Sequence, residues 1–400
     1  MPQIPPIFER QLDFDPQGDF EAFARQAPPR WVVYLLCDGD DRPVQLLCVK
    51  NLRYSLKRRL GEPDQEQQTP SRRVNYRELV RRVYWRRVDS AFEADWLFYE
   101  AARAVFPQTY KAMIGFRPAW FIHVDPDAPF PRHVKTIDLS PRPGALIGPV
   151  EDKHAAARLI ELIEDAFDLC RYYHILTQAP AASACAYKEM GKCPAPCDGS
   201  ISIEQYRRMV EWSARTLIDP AEYLREQNTR MQSAAGELRF EIAARIKSHI
   251  DQISRLGKGS FRHAARLEDF SYLCFQRGPG PRAGNAKVFL VTRGQIEELL
   301  GLIDEPRPSE ILRVALLRAQ ERASGIMDET GARRIGIVAH HLFAPKQRQG
   351  VFLRLDSINE NAIARAWRDL KKQSAARLET ETETESEGAM KEMTADRVTL

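Results

Sequence analysis

The chain has 400 residues, 44% hydrophobic and 28% charged, with 59 basic against 55 acidic side chains and a formal net charge of +4. That length accommodates two or three domains with real cores, and so even a charge balance names no partner by itself. No apolar run reaches the length of a membrane span and Met1-Pro-Gln-Ile-Pro-Pro6 is not a signal peptide, so a cytoplasmic protein with reduced thiols is expected.

After a proline-rich lead, Trp31–Cys37 and Val44–Val49 read as strands joined by the turn Asp38-Gly-Asp-Asp41, a hairpin. Asn51–Leu60 reads as a basic helix, Glu62–Thr69 as a polar loop and Arg81–Val88 as a third strand. Ala91–Val105 has helical spacing and Pro107 as its stop. Further strands are expected at Ala119–Val124 and His133–Ile137, then an amphipathic helix over Ala155–Phe167. From Lys50 to Arg87 the chain carries Lys50, Arg53, Lys57, Arg58, Arg59, Arg72, Arg73, Arg77, Arg81, Arg82, Arg86 and Arg87, interleaved with Tyr54, Tyr76, Tyr84 and Trp85. Such a stretch suits a phosphate backbone with bases stacked on the rings, or a solvated basic face.

Cys170, Cys185, Cys193 and Cys197 follow with the spacing C-x14-C-x7-C-x3-C. Four soft ligands on loops are what a closed zinc site or an iron–sulfur cluster needs, and spacing alone does not separate the two. Pro194 and Pro196 stiffen the last pair and Gly199 lets the chain turn away. Unrelated cysteines or two disulfides are the alternative, disfavoured in a reducing compartment.

Ser202-Ile-Glu-Gln205 reads as a capping box, and Asp219-Pro220 as a second helix start with Asp as cap and Pro at the first position. Leu224, Met231 and Leu238 then fall on one face, supported by Ala234 and Ala235. A second helix carries Ile242, Ile246, Ile250, Ile253 and Leu256, the two joined near Arg239-Phe240. This helical hairpin must bury its seam on its own domain or on a partner. Past the linker Gly257–Ser260, strands are expected at Ser271–Phe275 and Lys287–Thr292 around the turn Gly278–Pro281. Helices are expected at Gln295–Leu302, Ser309–Arg322 and Asn359–Lys372, and strands at Ile335–His341 and Gly350–Leu355. As strand neighbours, His340 and His341 would point to opposite faces and could not easily share an ion. The acidic repeat from Leu378 is expected to be disordered.

In order, these blocks resemble the N-terminal half of the UvrC family, the incision subunits of bacterial nucleotide excision repair. Val33-Tyr34-Leu-Leu and Lys50-Asn-Leu-Arg53 resemble the opening of a GIY-YIG nuclease domain, and Glu93-Ala94 with Tyr99-Glu100-Ala101 its acidic helix. Gly148-Pro149 before a helix resembles the family's phenylalanine-glycine-proline loop. The most specific block is Cys185-Ala-Tyr-Lys-Glu-Met-Gly-Lys-Cys193-Pro-Ala-Pro-Cys197. The resemblance implies that these cysteines and Cys170 hold a 4Fe-4S cluster, with zinc as the alternative. Met231–Ala235 and Leu238–Ala244 resemble the UVR motif, which implies that Met231, Leu238, Phe240, Ala243 and Ala244 dock on UvrB.

The resemblance implies an α+β chain. It would hold a GIY-YIG-like domain over 28–110, a cysteine-rich region over 111–215, a UVR hairpin over 216–257, an α/β domain of unassigned fold over 261–372 and an acidic tail over 373–400. It implies Tyr34 as a catalytic residue, Glu100 as the ligand of a divalent Mg or Mn, and DNA contacts from Lys50, Arg53, Lys57, Arg58 and Arg59. The nuclease pattern is broken elsewhere. Gln45-Leu46-Leu47 stands where the second tyrosine-isoleucine-glycine motif falls, Cys48 at the following lysine, Ser55 at the catalytic arginine and Ala102 at the asparagine after the glutamate. Arg58 lies three residues from Ser55 on the same helix face and could reach a phosphate in its place. The stretch after Gly257 lacks the strand-borne acids of the family's second, RNase H-like incision domain. The expectation is therefore a DNA-binding, UvrB-docking protein of nucleotide excision repair without full incision activity. A divergent single-strand endonuclease is the alternative, and a zinc-holding protein-binding module a third.

Overall fold

A computed structural model describes residues 4–61, 75–278, 285–322, 327–345 and 350–372. The expected loop at 62–69, Arg72, Arg73, most of the turn at 278–281 and the acidic tail lie outside the described residues. The fold is α+β, built on three four-stranded antiparallel sheets. The first runs β1-β4-β2-β3, with β1 at Arg10–Asp13, β2 at Val32–Cys37, β3 at Pro43–Val49 and β4 at Arg82–Arg87. The second runs β6-β5-β7-β8, from β5 at Trp120–Val124, β6 at His133–Thr136, β7 at Ala145–Val150 and β8 at Ala265–Arg266. The third runs β11-β10-β9-β12, from β9 at Ser271–Arg277, β10 at Ala286–Thr292, β11 at Gln295–Ile303 and β12 at Val351–Arg354. No helix among the described residues is long and apolar enough to cross a membrane.

Strand β2 is buried along its whole length because both of its faces are covered. Val32, Tyr34 and Leu36 pack with Leu52, Leu56 and Leu60 of the Leu52–Leu60 helix. Val33 and Leu35 pack on the other face with Phe92 and Leu97 of the Ala91–Val105 helix. Asp38 closes the β2–β3 turn, its carboxylate accepting from the Asp40 and Arg42 amides at 2.9 and 2.8 Å. Asn51 and Ser90 cap the two helices, accepting from Tyr54 N and Glu93 N at 3.0 and 3.1 Å.

Two expected elements come out differently. Gln295–Ile303 is strand β11, not a helix. Arg293 and Gly294 both have positive φ (43° and 78°), the backbone of a tight hairpin turn after β10. Ile296, Leu299, Leu300 and Ile303 mimic a helical repeat because register shifts between β10 and β11 reset the strand's phase. Ile296 therefore enters one core, and Leu299, Leu300 and Ile303 pack against another.

The second is Ile335–His341, which lies inside a helix, Glu329–Leu342, and is not a strand. Asp328 starts it by accepting from Gly331 N at 2.7 Å. Ile335, Ile337, Val338, Ala339 and Leu342 are all buried, so the run has no polar stripe to betray its period. A side chain at Gly336 would meet the Arg117 carbonyl at 2.9 Å, which is how closely this helix packs.

Leu238 also moves. It sits in the turn between the Ala221–Gly236 and Phe240–Ile253 helices at φ 59°, 73% exposed, rather than on a helix face.

His133 on β6 is buried, its Nε2 3.3 Å from Ser213 Oγ, and burial lowers its pKa from 6.5 to about 4. With the folded value depressed, the unfolded chain binds the proton first. The contribution of neutral His133 is whole above about pH 6.5 and is lost as pH falls toward 4, at about 1.36 kcal/mol for each pH step between those two values. Glu164, raised by burial from 4.5 to about 7, works in the opposite sense and is common to the variants compared. In urea unfolding at pH 7 and pH 4.5, wild type should lose roughly 2 kcal/mol more than H133Q does. Parallel losses would remove His133 as the cause.

Candidate functional site

The four cysteines sit in an irregular stretch between the Lys153–Ala166 and Ile203–Ile218 helices. Asp168, Gly191, Ala195 and Gly199 all take positive φ there, so the chain reverses at each loop. Cys170, Cys193 and Cys197 are buried and Cys185 is half-buried. The Cys170 amide donates to the buried Tyr206 hydroxyl at 3.1 Å, which holds the first cysteine to the following helix. A hydrogen bond from Cys170 lowers the Cys193 thiol to about 7 against the opposing effect of burial, while Cys170 itself is pushed well up. Cys197 is raised by burial and then by the charge of Cys193. Among the described residues no three of these sulfurs lie within 4.8 Å of one another. Arg171 wraps the centre, stacked 4.5 Å over the Tyr187 ring, donating to the Lys192 carbonyl at 3.3 Å and paired with Asp165. The donor set is of the kind that holds a thiolate-bound metal group: four cysteines in one stretch, three of them buried, with Arg171 alongside.

The helical hairpin grows from this centre. Tyr223, Ile253 and Leu256 share one core with Cys170, Cys193 and Phe167, and the Tyr223 hydroxyl donates to the Ala166 carbonyl at 3.2 Å. Arg245 reaches back from the second helix to both Asp168 oxygens at 3.0 and 2.9 Å and to the Gly191 carbonyl at 2.5 Å. At the far end Leu238, Phe240 and Ile242 are 73%, 63% and 49% exposed. Met231 is half-buried, Ala243 buried and Ala244 exposed. Arg245 and Tyr206 carry no sequence signal that marks their roles, since their partners lie 77 and 36 residues away.

The nuclease-type residues are not brought to one surface. Tyr34 is fully buried under the Leu52–Leu60 helix with its hydroxyl 2.8 Å from Ser55 Oγ, and burial raises its pKa. Arg59, not Arg58, turns toward this cluster and donates to Gln45 Oε1 at 2.8 Å. Glu100 lies on the Ala91–Val105 helix, against the opposite face of β2. There it accepts from Arg334 at 2.5 and 3.0 Å and from Arg103 at 3.2 Å. Cys48 also points to that face and accepts from Trp31 Nε1 at 3.2 Å. Of the expected DNA contacts, Arg53 is spent on the Ala27 and Arg25 carbonyls and Lys57 on Glu21. Lys50 and Arg58 are exposed, with Tyr54 beside them 65% exposed.

Residues 119–215 match the family model described as UvrC/Cho excinuclease, middle domain, a segment that contains all four cysteines. UvrABC system protein C of Wolinella succinogenes is 27% identical over 237 residues, 59% of this chain and 36% of the relative. The proteins of the same name from Caldanaerobacter subterraneus and Syntrophomonas wolfei are 32% and 34% identical over 132 and 114 residues, covering 32% and 28% of this chain. Those matches cover 21% and 18% of these relatives, so the chain spans only about a third or less of the curated relatives it matches. No solved structure matches. The chain is a UvrC-like protein, with the middle domain of the UvrC/Cho excinucleases at residues 119–215.

Proposed function

We propose that this protein acts in nucleotide excision repair as a DNA-binding subunit that docks on a UvrB-like partner and does not itself incise. One observation carries the reading. The thiol centre and the hairpin form a single packed unit tied by Arg245, while Tyr34 and Glu100 sit on opposite faces of one sheet. A GIY-YIG type of cleavage needs the tyrosine, a phosphate-binding cation and a metal-holding carboxylate on one side of the scissile bond. Here a metal at Glu100 would first have to displace a bidentate guanidinium, one of the stronger charge-assisted contacts a carboxylate makes.

Cys170, Cys185, Cys193 and Cys197 would hold a 4Fe-4S cluster, which when bound supplies a rigid cross-link and a one-electron centre. A tetrahedral zinc site brings its sulfurs to about 3.8 Å of one another, given Zn–S bonds of about 2.3 Å. Anaerobically purified protein should be brown and contain iron, and C193S should lose both; a colourless protein with stoichiometric zinc would reject the cluster.

Lys50, Tyr54 and Arg58 offer a small cationic and stacking face for DNA. With Mg or Mn on nicked or damaged duplex the protein should leave the strands intact. Metal-dependent cutting that E100Q abolishes would replace this reading with that of a divergent endonuclease. The exposed Leu238, Phe240 and Ile242 are the anchors for the partner, and F240A should weaken binding to a UvrB protein by about tenfold or more. Unchanged affinity would take the hairpin tip out of the interface.

A further inference from the structure

The Ala91–Val105 and Glu329–Leu342 helices meet at a second cluster of ligating side chains, remote in sequence from the cysteines. Asp95, His340 and His341 each present one ligand atom, and the three atoms lie within 4.8 Å of one another. His341 Nε2 is 2.9 Å from Asp95 Oδ2, and the two imidazole rings are 5.2 Å apart. His341 is 3% exposed, Asp95 half-buried and His340 exposed, so the group is anchored inside and open at its rim. The two histidines close the last turn of their helix, where the unpaired carbonyls add partial negative charge to that of Asp95.

We propose that Asp95, His340 and His341 form a binding site for a divalent transition metal ion, zinc foremost, separate from the thiol centre. Two imidazoles and a carboxylate are a borderline nitrogen–oxygen donor set, suited to zinc and to other late first-row ions. Three protein ligands leave a tetrahedral ion at least one position for water or for a group presented from outside. The ion would bridge the first sheet unit and the third, because Asp95 belongs to one and both histidines to the other.

The competing account is a plain His341–Asp95 hydrogen bond, and it leaves His340 with nothing to do. H340A therefore separates the two, and as an exposed position it spares the fold. Cobalt(II) added to the intact protein should give d–d absorption bands without a thiolate charge-transfer band, at one equivalent per chain. Zinc should raise the thermal midpoint of wild type. Affinity for either ion, measured by titration, should fall about tenfold or more in H340A and in D95N. Equal stoichiometry and affinity in wild type and H340A would overturn the site, as would a cobalt spectrum carrying only thiolate bands.

Discussion

Glu93 is completely buried, and a carboxylate in that position keeps its charge only beside a cation. Burial raises its pKa, and Lys287 on β10 offsets this from 2.6 Å while also holding Asp89 at 3.0 Å. The contact fixes the Ala91–Val105 helix to the third sheet, and the remaining acids on that helix follow. Asp95 meets His341 and Glu100 meets Arg334, so three acids of one helix are each matched by a basic group from the C-terminal unit. The same docking brings Phe92, Phe289 and Ile337 into one core. Removing Lys287 alone would strand a buried charge, the costly kind of loss, whereas the exposed pairs of the chain count for little.

That constraint also decides what Glu100 can do. A glutamate that holds a metal must present its oxygens to solvent and substrate. Glu100 presents both to Arg334. Across the sheet, Ser55 shares one hydrogen bond with Tyr34, and Arg59 one turn later donates to the Gln45 side-chain carbonyl. Gln45, Cys48 and Ser55 each have a hydrogen-bond partner within the fold.

Strands β2 to β5 and the Ala91–Val105 helix were legible because turn residues, caps and periodicity agree there. Asp38, Asn51 and Ser90 all act as their positions suggest. The C-terminal unit was harder for two physical reasons. A bulge let β11 imitate a helical period, and a helix covered all round looked like a buried strand. That second imitation also hid the Asp95–His340–His341 cluster, since the histidines could converge only on a helix end. The gathering of the four cysteines in one stretch was legible from their spacing. The side chains that brace them, Tyr206, Arg171 and Arg245, were not, because bracing is a tertiary relation with no periodic trace.

The basic stretch shows how far composition can mislead about a nucleic-acid face. Arg82 is paired with Asp41, Arg86 with Glu9 and Glu298, and Arg87 with Asp89. Arg53 and Lys57 close the N-terminal helix onto the sheet unit. Each phosphate neutralised contributes about 0.9 to the salt slope of DNA binding, and strong binders make roughly six to ten such contacts. Among the described residues of the expected contact set, Lys50 and Arg58 account for two. On the proposed reading, a face that small orients DNA rather than captures it, and localisation falls to the hairpin. The hairpin's rigid attachment through Arg245 and the shared core then matters more than its own marginal helix stability. A partner bound at Phe240 is held in a fixed geometry to the thiol centre, because the second helix is pinned at Asp168 and Gly191 before the partner arrives.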